Sequence, residues 1–107
     1  MRIIQHPNSF RENIRRKLQT RIFDENVQEE HLLIRNLEKG MYNYCIKEAS
    51  RRKILKKWTN PLFVQLYVDK LRSIFLNLDQ TKFKSQIQKG EILPQQVAFM
   101  THQEMNP

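Results

Sequence analysis

Residues 59–78 read TNPLFVQLYVDKLRSIFLNL, and this stretch decides the fold class. Asn60 is a favoured N-cap, and Pro61 suits the first helical position, where its missing N–H costs nothing. From there Phe63, Leu66, Tyr67, Leu71, Ile74, Phe75 and Leu78 recur at spacings of three and four, the period of an α-helix. So wide a stripe can pack against two other helices. A helix from Pro61 to about Leu78 is therefore predicted as the centre of a helical core.

N-terminal to this stretch the same period appears twice. Phe10, Ile14, Leu18 and Ile22 repeat at spacing four, with Ser9 and Glu12 placed as a capping box that would open the helix at Phe10. Arg11, Arg15, Arg16 and Lys17 sit largely off the stripe, and Asp24-Glu25-Asn26 reads as a loop. A longer helix is predicted from Gln28 to Lys57, with a break admissible between Ala49 and Trp58. Glu29 and Glu30 favour its positive end, and the Arg51 to Lys57 run its negative end. Leu33, Leu37, Met41, Tyr44 and Cys45 form its core stripe, which Glu48 interrupts. Gly40 costs on the order of 1 kcal/mol there relative to Ala and marks either a close crossing or a bend.

C-terminal to it the elements shorten. Thr81 to Lys89 reads as a small helix with Phe83 and Ile87 inward, ended by Gly90 in a left-handed conformation. Pro94 can start another short helix, with Val97 and Met100 inward. Thr101-His102-Gln103-Glu104 is a second capping box, read as opening a helix that the chain does not contain, and hence as a sign of truncation.

The bulk numbers agree with an all-α reading: a three-helix bundle with additional short C-terminal helices. The 107 residues suit one domain, with 39% hydrophobic residues, 28% charged, two Gly and four Pro. No apolar run approaches the roughly 18 residues of a transmembrane helix, and the opening residues lack a signal-peptide pattern, so no membrane partner is expected. Cys45 is the only cysteine; it can form no internal disulfide, and a buried structural thiol is its better reading. His6, His31 and His102 lie in three separate segments, so no metal site is expected. No paired carboxylates, nucleophile–base set or phosphate loop suggests an enzyme.

The net charge of +8 is uneven. Residues 1–50 hold nine Lys/Arg against seven Asp/Glu, residues 51–107 ten against four. A basic second half points to an acidic partner, either nucleic acid or an acidic protein surface. Arg51, Arg52, Lys53, Lys56 and Lys57 are the densest basic run, with Ile54, Leu55 and Trp58 interleaved. Docking to an acidic protein, phosphate contact or a merely solubilising helix end would each account for it. Trp58 either closes the core at a helix end or stacks on a base.

From Leu66 onward an ordered set of short motifs appears: Lys70-Leu71-Arg72-Ser73, Asn77-Leu78, Lys89-Gly90-Glu91-Ile92, Pro94, Ala98, Met100-Thr101 and Glu104-Met105. Together with Leu37-Glu38 and Met41-Tyr42, this set resembles the central domain of the transcription elongation factor TFIIS, over about Phe10 to Met105. Residues 1–9 then read as an N-terminal extension. The chain departs from the family pattern at Asp79, in the shorter Asp79-Gln80-Thr81-Lys82 loop and in a longer Arg51 to Trp58 segment. Such divergence suits a homologue encoded by a large DNA virus.

The resemblance implies a monomeric module that docks on the largest subunit of DNA-dependent RNA polymerase, in the nucleus or at the site of viral transcription. It implies that Lys70 and Arg72 contribute to docking; otherwise they are a solvated helix face. It also implies that transcript cleavage belongs to a separate zinc ribbon, whose cysteines are absent here, so no cofactor is expected in this sequence. A basic helical nucleic-acid-binding domain, or the same fold in a chromatin regulator, are the alternatives.

Overall fold

The computed structural model describes residues 2–23 and 31–105. Along the chain run α1 (Pro7–Phe23), α2 (Leu32–Arg52), α3 (Pro61–Asn77), α4 (Thr81–Gln88), a 3₁₀ helix (Pro94–Phe99) and α5 (His102–Met105). Among the described residues there is no strand, as an all-α bundle requires.

α1 starts one turn earlier than expected. Pro7 takes the first helical position, and the His6 carbonyl accepts from the Phe10 amide at 3.0 Å, so Ser9 falls inside the first turn and cannot cap it. Glu12 turns instead to Arg16, 2.8 Å away. The segment ahead of α1 is tied down as well: the Ile4 amide donates to the Trp58 carbonyl at 2.8 Å. Ile14, Leu18 and Ile22 are buried as the spacing of four predicts.

α2 is the axial element, packed against α1, α3 and the 3₁₀ helix; the core does not centre on α3 alone. Gly40 is why the 3₁₀ helix can lie so close. A Cβ built there would sit 2.5 Å from the Gln95 carbonyl oxygen, so the glycine marks a crossing and not a bend. Ile34, Leu37, Met41, Cys45 and Ala49 are fully covered, whereas Leu33 is only partly buried. The expected start at Gln28, with Glu29 and Glu30, and the loop at Asp24 lie outside the described residues. His31 is the N-cap; its amide donates to the buried Gln19 side chain at 3.0 Å and its ring stacks on Phe23, which fixes α2 to α1.

The α2 C-terminus falls short of Lys57, inside the Ala49 to Trp58 window in which a break is admissible. The helix stops at Arg52, because Lys53 turns left-handed (φ 57°, ψ 39°). The Ile54 amide then reaches the Ala49 carbonyl (2.8 Å) and the Lys53 amide that of Ser50 (3.3 Å), the paired bonds of a Schellman cap. Half-buried Ile54 packs against the core and seals the stop. Lys56 and Lys57 therefore lie in the connection to α3, off the helix.

α3 opens as predicted. The Asn60 carboxamide accepts from the Leu62 amide at 3.2 Å and donates to the Leu55 carbonyl at 2.9 Å. Phe63, Leu66, Tyr67, Leu71 and Ile74 are buried along it. Trp58 closes this end, with ring centroids 5.1 Å from Phe63, 5.2 Å from Tyr67 and 5.7 Å from Phe10. Beyond α3, Phe83 and Ile87 of α4 are buried, Gly90 takes φ +73°, and Val97 and Ala98 are covered. The Thr101–Glu104 capping box forms reciprocally, at 3.0 and 3.2 Å. It opens a turn that the chain does contain, α5, and this turn buries Met105.

Inside the bundle sits a carboxylate that the periodicity did not single out. Glu38 is 1% exposed, where an unpaired charge would be prohibitive. Arg11 meets it with two bonds of 2.8 Å, Arg15 approaches at 3.5 Å, and the Tyr67 hydroxyl donates to it at 2.8 Å. Side chains from α1, α2 and α3 thus meet at a single charged knot, two from α1 and one from each of the others. Burial disfavours the charged Arg11, but the bonds and field of Glu38 outweigh that and hold its pKa above the usual value. Burial and the neighbouring Glu38 raise that of Tyr67.

Candidate docking surface

The basic run is sorted by the helix stop. Arg51 and Arg52 occupy the last turn of α2, three and four residues after Glu48, and both hold its carboxylate: Arg52 Nε at 2.8 Å, Arg51 through Nε at 3.3 Å and through a second guanidinium nitrogen. The two arginines hold the Glu48 carboxyl well below the ordinary range, at about 2. Glu48 thus orders the arginines while cancelling part of their charge. Lys56 folds back to the Ser50 hydroxyl at 2.8 Å, and Lys53 and Lys57 are exposed.

Lys70 joins this cluster from α3. Its ammonium lies 4.1 Å from the centroid of the Tyr44 ring, and Tyr44 is one turn before Glu48 on α2. Burial lowers the Lys70 pKa, opposed by the nearby Glu48, and burial raises that of Tyr44. Phe99 of the 3₁₀ helix meets the Tyr44 ring edge-on at 5.7 Å, and Lys47 stands 5.3 Å over Phe99. The result is one continuous face on which Lys47, Lys70, Arg51 and Arg52 surround two partly exposed rings. Cations held over aromatic faces in this way are ordered enough to meet anionic groups at a defined spacing.

Arg72 is not part of that face. Two residues along an α-helix is a turn of about 200°, so Arg72 projects from the side of α3 opposite Lys70. It is exposed and borders a surface cleft with Arg21, Phe75, Leu76 and Asp79. The sequence motif containing both residues therefore projects from two sides of α3. Lys47, Tyr44 and Phe99 were the members of the first face that sequence reasoning missed. Tyr44 belongs to the predicted core stripe but is only partly buried, and its four-residue spacing from Glu48 is the signal in the sequence that puts it on this face.

Trp58 does not join either surface; its ring is packed among Phe10, Tyr42, Phe63 and Tyr67, the core alternative. Cys45 is buried, and burial pushes its thiol up to about 12, an inert structural thiol. Among the described residues no three His, Cys, Asp or Glu side chains converge as a metal site, and no helix is long and apolar enough to cross a membrane.

The fold and this face can be set beside known proteins. No curated protein and no solved structure matches the chain. The family model of the central domain of transcription factor S-II (TFIIS) matches residues 5–107, nearly the whole sequence, including the α2 carboxylate, the α3 motif and the Thr101–Glu104 cap described above. The chain therefore belongs to the TFIIS central-domain family, the RNA-polymerase-binding module of a transcription elongation factor.

Proposed function

We propose that this domain docks a transcript-cleavage or elongation factor on the largest subunit of DNA-dependent RNA polymerase through the Lys70–Arg51–Arg52 face, and contributes no catalysis itself. The observation that carries the reading is the convergence of Lys70 from α3 with Arg51 and Arg52 from α2 around Tyr44 and Glu48. An acidic protein surface would replace the partial neutralisation that Glu48 now supplies, and would fix register through the ordered cations. Lys53, Lys56 and Lys57, at the rim, add to the encounter rate more than to residence. The action would take place wherever that polymerase transcribes, the nucleus or a viral transcription site, with the module acting as a monomer. Transcript cleavage would need a zinc-bearing domain other than this one.

The test compares binding to the multisubunit polymerase with binding to a duplex DNA across a salt series. Polymerase binding should persist near physiological salt and fall about tenfold or more in Arg52→Glu/Lys70→Glu. Arg72→Glu, on the opposite side of α3, should leave it unchanged. DNA binding as tight as polymerase binding, with a steep salt slope, would replace this reading with a nucleic-acid module, for which the cation–ring pairs are also suited.

A further inference from the structure

The fold presents the serine and threonine hydroxyls of the chain very differently. Ser9, Thr20, Ser50, Ser73, Thr81 and Ser85 lie within helices. Thr101 caps α5, and its hydroxyl is held by the Glu104 amide at 3.2 Å. Among the described residues only Thr59 stands in an exposed turn. That turn runs from Lys57 to Asn60 and is closed by the Asn60 amide on the Lys57 carbonyl at 2.9 Å. On one side of Thr59 the Trp58 ring is packed into the core; on the other, Asn60 caps α3 and bonds the Leu55 carbonyl. The threonine is thus displayed in water between two fixed neighbours. Its surroundings are cationic: Lys56 and Lys57 stand three and two residues before it, Lys53 marks the left-handed stop of α2, and no Asp or Glu occurs from Ala49 to Val68.

We propose that Thr59 is a phosphorylation site, and that its phosphate weakens the grip of the Lys70–Arg51–Arg52 face on polymerase; the second half rests on the docking reading above. The Thr59 hydroxyl oxygen attacks the γ-phosphorus of a nucleoside triphosphate held by a protein kinase. The new O–P bond forms, the bond from that phosphorus to the β-phosphate oxygen breaks, the hydroxyl proton passes to the kinase's base, and the nucleoside diphosphate leaves. A kinase with an acidic cleft is recruited by cations ahead of its acceptor, the place that Lys56 and Lys57 occupy. An exposed turn opens into an extended acceptor at lower cost than a helix unwinds, which sets Thr59 apart from Ser50 beside the same lysines. The product is matched to its place. A phosphate carries about −1.5 to −2 charges, and Lys56 would leave the Ser50 hydroxyl, now 2.8 Å away, for so strong an acceptor. The same charge offsets the lysines that rim the docking face, so encounter with an acidic surface slows.

The experiment incubates the whole 107-residue chain with ATP and a serine/threonine kinase that requires basic residues two and three positions before its acceptor. Fragment mass spectra should place one phosphate on Thr59. Thr59→Ala, exposed and expected to keep the native circular dichroism, should take none, and Lys56→Met/Lys57→Met should slow labelling about tenfold. By phosphorus NMR the second phosphate pKa should fall below its ordinary value of about 6. The phosphorylated chain should bind polymerase several-fold more weakly at low salt, with the difference shrinking as salt rises, whereas kinase-treated Thr59→Ala should bind as the unmodified protein does. Labelling of Ser50 in place of Thr59, or no labelling of the folded chain while a synthetic peptide of residues 53–62 is labelled, would overturn the site. Unchanged polymerase binding after phosphorylation, where Arg52→Glu/Lys70→Glu still weakens it, would overturn the regulatory effect. If that double variant also binds normally, the docking reading and the regulatory effect fall together, and labelling alone decides the site.

Discussion

Replacing Glu38 by Gln keeps the side-chain shape and removes the charge at the knot that joins α1, α2 and α3. In the native protein Arg11 makes two 2.8 Å bonds to the carboxylate, and Tyr67 donates a third. A carboxamide has one oxygen, so whichever way it is turned, its NH₂ faces an Arg11 donor. One charge-assisted bond is lost and another is weakened, each worth about 1.5–3 kcal/mol. Breaking a fully buried pair costs about 3–5 kcal/mol, but Arg11 is 22% exposed and can swing toward water. The expected loss is thus about 2–3 kcal/mol, or a melting temperature lower by about 10–20 °C for a domain of this size. Urea unfolding followed by circular dichroism and by the single tryptophan, Trp58, measures it. In a double-mutant cycle, Arg11→Met with Glu38→Gln should show a coupling of about 1–3 kcal/mol. A Gln variant that loses less than about 0.5 kcal/mol, or singles that simply add, would refute the view that this knot holds the three helices in register.

Three further outcomes follow from single contacts. Gly40→Ala should destabilise by about 1–3 kcal/mol in spite of the better helix propensity, because its Cβ would lie 2.5 Å from a backbone oxygen of the 3₁₀ helix; equal or higher stability would mean that this crossing is looser than described. Lys53→Gly should stabilise by about 0.5–1 kcal/mol, since a lysine held at φ 57° carries a steric cost that glycine lacks; the midpoint of a urea curve decides it. Glu48 should titrate near 2 by carboxyl NMR. Its folded pKa is lowered, so the stability it contributes is present above about 4.5 and is lost as pH falls toward about 2. Arg51→Met/Arg52→Met should return it toward the ordinary carboxylate range, and a wild-type midpoint near 4.5 would show that the arginines do not hold it.

What the sequence determined by itself was whatever a single helix dictates. The Asn60-Pro61 start, the Gly90 stop, the Thr101–Glu104 box and the stripe from Phe63 to Ile74 are local matters of backbone geometry and spacing, and all appear where they were read. The ordered motifs from Lys70 to Met105 carried the family as well. The end of α2 was legible only as a window from Ala49 to Trp58, because no glycine or proline announces it; Lys53 is driven left-handed by what Ile54 gains in packing, a tertiary term. The Ser9 cap failed for a similar reason, with Pro7 offering an equally good start that the Ile4–Trp58 bond reinforces. Arg11 and Glu38 are 27 residues apart, and nothing along the chain says that they meet. The candidate surfaces followed the same division. Which residues were basic could be read directly, but only the packing of α2 against α3 brought Lys70 to Arg51 and Arg52, and only the turn of α3 sent Arg72 to the other side. Charge is a property of composition, whereas a site is a property of distances, and those are settled when the helices bury their stripes against one another.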